Sequence, residues 1–168
     1  MFPVPARFGA HRFALGLGVG ACTLVLAAGA SAESTTTLTF KELTKGSTFA
    51  FVDNAPLSKA KGEPGASAGD AIVFTNPLAA SGGKLIGKLY MHCTAVVAAP
   101  AANRAAFACE GVVGLGGGTL TVQALLPHAG ATVHGVVTGG TGAYANARGT
   151  LVSRPTKTGA DDTISLVA

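Results

Sequence analysis

The side chains able to do chemistry in this 168-residue chain are few. Cys93 and Cys109 lie on two strand-like runs, 86–97 and 105–113, joined by a turn at 99–103. A hairpin centred on Ala101 sets them opposite each other, and cross-strand neighbours have Cβ atoms about 4.5–5.5 Å apart. A disulfide needs only slightly less, so the spacing predicts a Cys93–Cys109 bond. A free Cys93 thiol and this bond exclude each other. The same register opposes His92 and Glu110 on the other face, where an exposed ion pair is expected rather than an acid–base couple. The three histidines after residue 32, His92, His128 and His134, are scattered and have no zinc-ligand spacing. Gly114–Gly118 and Gly139–Gly142 precede strand-like sequence. Without a helix N-terminus they read as tight turns and not as phosphate cradles. The serines show no nucleophile elbow. No metal or cofactor is implied.

The elements around these residues read as strands. The segments 34–42, 48–53, 70–75, 85–97, 105–113, 119–126, 131–137, 143–153 and 163–167 are rich in Thr, Val, Leu and Phe, and Gly, Pro or Asn clusters separate them. Eight or nine short strands at this spacing indicate an all-β barrel or sandwich. Closure into an eight-stranded antiparallel barrel leaves room inside for side chains or one small ligand. Asn76-Pro77 is expected to stop the third strand. The Pro/Gly/Ser/Lys stretch 54–69 is long for a connection, which suits a lid or a rim segment.

The N-terminus has the three parts of an export signal. Arg7, His11 and Arg12 form a basic front, 13–29 is uncharged and apolar, and Ala30-Ser31-Ala32 is a small-x-small cleavage pattern. The expected organisation is a signal peptide over 1–32 and one barrel domain over 33–168, delivered to the extracellular space or periplasm. The apolar run is shorter than the roughly 20 residues of a membrane span, so no stable membrane insertion is expected. An oxidising compartment also favours the disulfide. Loss of Arg7 and Arg12 reduces the net charge from +4 to +2, and no basic stripe remains for nucleic acid.

Three stretches carry a family resemblance: 69–78 (GDAIVFTNPL), 87–93 (GKLYMHC) and 137–151 (VTGGTGAYANARGTL), with 119–123 (TLTVQ) between the last two. They resemble the allene oxide cyclase and dirigent protein superfamily. The resemblance implies an eight-stranded antiparallel barrel, commonly a homotrimer, with an apolar pocket for a small hydrophobic or phenolic ligand. It implies a cofactor-independent cyclase that shapes a cationic intermediate, or a dirigent-type protein that biases radical coupling. Carried over by position, Asn76 matches the cyclase Asn that holds a water, and Cys93 matches a pocket Cys beside Leu89 and Met91. Glu42 stands for the pocket Glu, and Arg148 for the Arg of the dirigent ARG motif. The pocket Tyr has no counterpart, because Leu125 and Leu126 occupy that region. A carboxylate in an apolar pocket would stabilise developing positive charge; otherwise Glu42 is a solvated strand-end residue beside Lys41 and Lys45. Asn76 could equally initiate a turn before Pro77. Two functions follow: a pocket protein that steers cyclisation or coupling, or a non-catalytic binding or interaction module. An open lumen with Glu42, Asn76 or Arg148 turned inward favours the first, and a lumen plugged by Phe, Leu and Met favours the second.

Overall fold

The computed structural model describes residues 35–54 and 65–167. The expected export signal and most of the expected 54–69 loop lie outside the described residues. Nine strands follow in order: β1 (Thr35–Leu43), β2 (Thr48–Val52), β3 (Ala71–Ala79), β4 (Leu85–Val97), β5 (Ala106–Leu115), β6 (Gly118–Leu126), β7 (Val133–Gly140), β8 (Arg148–Thr156) and β9 (Gly159–Val167). Each pairs antiparallel with its neighbour in the order β1-β9-β8-β7-β6-β5-β4-β3-β2, and β1 also pairs with β3. Eight strands thus close into a barrel, and β2 lies outside the ring as an extra strand on the first half of β3. Among the described residues no helix is long and apolar enough to cross a membrane.

Alternation decides which residues enter the barrel, because successive strand side chains point to opposite faces. In β9 Asp162, Ile164 and Leu166 are buried, and in β6 Leu120 and Val122 are buried while Thr121 and Gln123 are exposed. Leu78, Leu89, Val113, Leu120, Val122, Val137 and Ile164 form a dense plug across one end. A second cluster, Ile72, Cys93, Ala95, Phe107 and Cys109, packs with Phe51, Phe74 and Met91 toward the other end.

The β4–β5 hairpin has the predicted register. Cys93 faces Cys109 and His92 faces Glu110. The cysteines are joined in a disulfide with their Cα atoms 4.0 Å apart. His92 and Glu110 are both exposed on the outer face. The ion pair found among the described residues is elsewhere, between Lys41 and Asp161.

Three expectations need correction. Asn76-Pro77 does not end β3, which continues to Ala79. Proline lacks a ladder donor and is tolerated where no partner strand needs one. Pro77 sits at such a gap: pairing with β2 stops at Thr75, and pairing with β1 starts at Leu78. The chain after Gly142 is not strand from Ala143. A single 3-10 turn at Gly142–Tyr144 intervenes, and β8 starts at Arg148 and runs to Thr156. A tight turn at Lys157-Thr158 then sends β9 back from Gly159, four residues earlier than expected. Gly159 has φ +148, and a Cβ there would collide with the Glu42 carbonyl, so only glycine lets this hairpin press against β1.

Asp70 anchors the start of β3. Its carboxylate accepts hydrogen bonds from the Asn54 N–H at 2.8 Å, the Ser67 N–H at 2.7 Å and the Ser67 hydroxyl at 3.0 Å. Burial pushes its pKa up, but the bonds from Ser67 and Asn54 outweigh burial and hold it below the usual value. A depressed carboxyl stabilises the fold above its unfolded pKa and loses that contribution as pH falls through the folded one.

Two measurements check these contacts. Intact mass should be two hydrogens below the dithiol value, and Cys93→Ala with Cys109→Ala should cost about 3 kcal/mol in denaturant unfolding. Asp70→Ala should cost about 2 kcal/mol at neutral pH by orphaning three donors, and the deficit should shrink below about pH 4.

Candidate active site in the barrel lumen

The barrel is plugged at one end and hollow toward the other. The hollow has a volume of about 280 Å³ and is lined mainly by Phe74, Leu89, Met91, Val113, Val122, Ala124, Leu126, Val133 and Leu151. At its mouth it shares Thr44, Phe74, Asn76 and Leu126 with an outer depression of about 640 Å³, walled by Phe49, Phe51, Ile72 and Phe107. In this apolar lining the polar side chains are Glu42, Thr44, Asn76, Ser153 and Asp162, and none of the lining residues is Lys, Arg or His.

Strand register gathers the acidic group. Phe40 pairs with Asp162 and Glu42 with Ala160 across β1–β9, so the two carboxyl groups are diagonal neighbours on the inner face. Such neighbours are within reach of long side chains. Glu42 also pairs with Leu78 across β1–β3, which places it diagonally from Asn76. The Asn76 amide donates to Glu42 Oε2 at 2.5 Å. Ser153 lies directly opposite Asp162 on β8.

Asp162 is only 4% exposed, and its Oδ1 has no hydrogen-bond partner among the described residues. Burial first, then the facing Glu42 carboxylate, pushes its pKa up to about 8. Hydrogen bonding to Glu42 and the charge of Asp161 add to the rise, and hydrogen bonding to Ser153 opposes it. Desolvation and a nearby like charge both disfavour the ionised form. Asp162 therefore holds its proton at neutral pH, and the pair carries at most one negative charge. A carboxylic acid beside a carboxylate can donate to one atom of a ligand and accept from, or stabilise positive charge on, another. Two carboxyl groups fall short of a metal site, and no cluster of three or more His, Cys, Asp or Glu exists among the described residues.

The structure sorts the predicted site residues. Glu42 and Asn76 meet in the lumen, and Leu89 and Met91 line it. Cys93 is committed to the disulfide, which rules out a pocket thiol; its partner Cys109 borders the cavity instead. Arg148 is corrected. It is exposed, and its guanidinium donates to the Ala147 carbonyl at 2.8 Å. It starts β8 five residues before Ser153, on the order of 16 Å away, and its odd offset turns it to the outer face. It belongs with Tyr144 and Leu166 at the plugged end.

Sequence reading missed Asp162 and Ser153. The signal was present: Asp162, Ile164 and Leu166 alternate, so whatever buries the aliphatic pair also buries the aspartate. Starting the last strand at Thr163 hid it.

The family model for the allene oxide cyclase barrel-like domain matches residues 48–167. The chain belongs to this family. Among solved structures, a pyocyanin demethylase is similar at 29% identity over 80% of this chain and 100% of that one, with a TM-score of 0.58. AbnU, an exo-specific intermolecular Diels-Alderase, is similar at 14% identity over 80% of this chain and 99% of that one, with a TM-score of 0.55. The Diels-Alderase AbmU from Streptomyces koyangensis has 12% identity over 82% of this chain and 70% of that one, with a TM-score of 0.53. The last two show the shared fold alone. No curated protein matches in sequence.

The raised carboxyl sets the pH dependence of stability. Between about pH 4 and about pH 8 the folded state keeps a proton that the unfolded chain has lost, so stability falls as pH rises through this window. The wild-type melting temperature should decline from pH 5 to pH 8, and Asp162→Asn should flatten the decline and melt higher than wild type at pH 8. Parallel curves for the two proteins would remove Asp162 from this role.

Proposed function

We propose that this barrel binds a small apolar or aromatic molecule in its lumen and steers its cyclisation, coupling or related rearrangement by acid–base action of the Glu42–Asp162 pair. The observation that carries this reading is the buried Asp162 beside the half-buried Glu42, set in a mostly apolar cavity that opens at one end. A non-catalytic module needs no such pair, because burying an unpartnered carboxyl oxygen costs stability. The cavity lies at the small end of ligand pockets, which run to about 300–1,000 Å³, and the outer depression extends it. A ligand held there is desolvated on most sides, so shape selects its conformation and the carboxyl groups act on it in a low dielectric. Asn76 orients Glu42, and Ser153 faces Asp162 across β8–β9.

The 29% identity with a pyocyanin demethylase favours a flat aromatic heterocycle as occupant, with dealkylation as a second reaction class. Both readings suit an exported protein. The disulfide suits an oxidising compartment, and the N-terminal sequence has the form of a signal peptide. The protein would then meet small molecules outside the cytoplasm, as a homotrimer by family resemblance.

Native mass spectrometry of protein taken from its own medium, before and after organic extraction, tests occupancy, and a released molecule defines the reaction to assay. Glu42→Gln should lower turnover of that molecule by at least about 100-fold while the melting temperature changes by less than about 3 °C. Unchanged turnover would take Glu42 out of the chemistry and sink the proposal.

A further inference from the structure

Among the described residues the cavity is lined by two carboxyl groups and by no Lys, Arg or His. A cationic occupant would balance its charge. The groups that face Asp162 are Glu42 from β1 and Ser153 from β8; Asn76 from β3 faces Glu42. The adjacent Asp161 points outward and is engaged by Lys41 at 2.6 Å, and Arg154, in register with Asp161, is exposed on the outer face. Among the described residues, therefore, no cationic side chain lines the lumen beside the pair. Asp162 lines the cavity, and its buried Oδ1 has no hydrogen-bond partner among the described residues. A buried polar atom in this state gains from a ligand that supplies its missing partner.

Resting on the proposed lumen site, we infer that the barrel selects a small organic cation of delocalised charge, or a species with a cationic resonance form, and that binding it displaces the Asp162 proton to solvent. A localised ammonium is too strongly hydrated to enter an aliphatic cavity, whereas a charge spread over a flat ring system loses little hydration. The ring occupies the apolar walls, and the positive edge lies against Glu42 and Asp162. The step balances: the Asp162 O–H breaks, its proton passes to buffer, and the resulting second negative charge is met by the ligand. With Asp162 titrating at about 8, cation binding strengthens as pH rises toward that value. A neutral ligand behaves oppositely, because it uses the Asp162 proton as a hydrogen-bond donor.

Calorimetric titration with N-methylphenazinium and with phenazine, flat tricycles that differ by one methyl group and one charge, tests the inference. At pH 7, in buffers of different ionisation enthalpy, the cation should release close to one proton per site. Its affinity should rise by up to tenfold per pH unit between about pH 6 and pH 8 and level off above. Phenazine should show no proton release and bind no more tightly at pH 9 than at pH 6. Asp162→Asn should abolish the proton release and flatten the cation profile; if this variant does not fold, the wild-type proton count still decides. Cation binding that is no tighter than phenazine binding at pH 9, or that occurs without proton release, overturns the inference. If phenazine still binds and Ala124→Phe, which fills the lumen, abolishes that binding, the lumen reading survives alone. If neither probe binds but native spectra show an extractable neutral molecule, the cation inference falls and the lumen reading stands. If neither binds and the spectra are empty, both fall.

Discussion

Everything in this molecule hinges on the short seam where β1 meets β3. Only two residue pairs close the ring there, Lys41 with Ala79 and Glu42 with Leu78, yet they turn an open sheet into a barrel and remove its edges. Glu42 is one of those four residues. Its backbone serves the seam, and its side chain is thereby directed inward, between Asn76 on one neighbouring strand and Asp162 on the other. The operation that closes the fold is the same one that assembles the site. β3 can make this junction because Pro77 falls between its two partners, where a missing N–H costs nothing. β9 can make it because Gly159 admits the Glu42 backbone.

Closure also creates the electrostatics. An aspartate and a glutamate on adjacent strands of an open sheet would share a solvated face. Inside the barrel, the plug of Leu78, Leu120, Val122 and Ile164 shuts out water from below, and aliphatic walls surround the pair. The cost of ionising both groups rises accordingly. This is a stability penalty that the fold carries at neutral pH, and such penalties are concentrated at functional sites. The disulfide, the Asp70 anchor and the dense plug offset it. The Cys93–Cys109 bond ties β4 to β5 where Cys109 borders the cavity, so it stiffens that wall.

Much of this was legible in the sequence, and the reasons are local. Strand alternation, turn glycines and the 69–78 and 137–151 motifs indicate the barrel. The cysteine register follows from hairpin symmetry about Ala101 alone, and it held because the β-bulge near Val96 lies beyond Cys93 toward the turn. Glu42 and Asn76 could be named from the family motifs, but nothing in the chain said that they touch, since that contact depends on a closure between residues 34 positions apart. Pro77 misled because proline ends a strand only when a partner needs its N–H. Arg148 misled because a motif match fixes sequence position and not the face of the strand. Counting from Ser153 shows that it must point outward whenever Ser153 points inward.

Asp162 shows the limit of reading residues one at a time. As an isolated type it looks like half of an acidic turn, Asp161-Asp162, and the ordinary expectation for such a pair is solvent. The parity of β9 splits it: Asp161 goes out to Lys41, and Asp162 goes in with Ile164 and Leu166. Two identical adjacent side chains thus receive opposite environments, one in an exposed ion pair that contributes little and one in an apolar cavity where burial pushes its pKa up. The chemistry of this barrel depends on that one-residue distinction, because strand parity alone sends one carboxyl group into the lumen and the other to solvent.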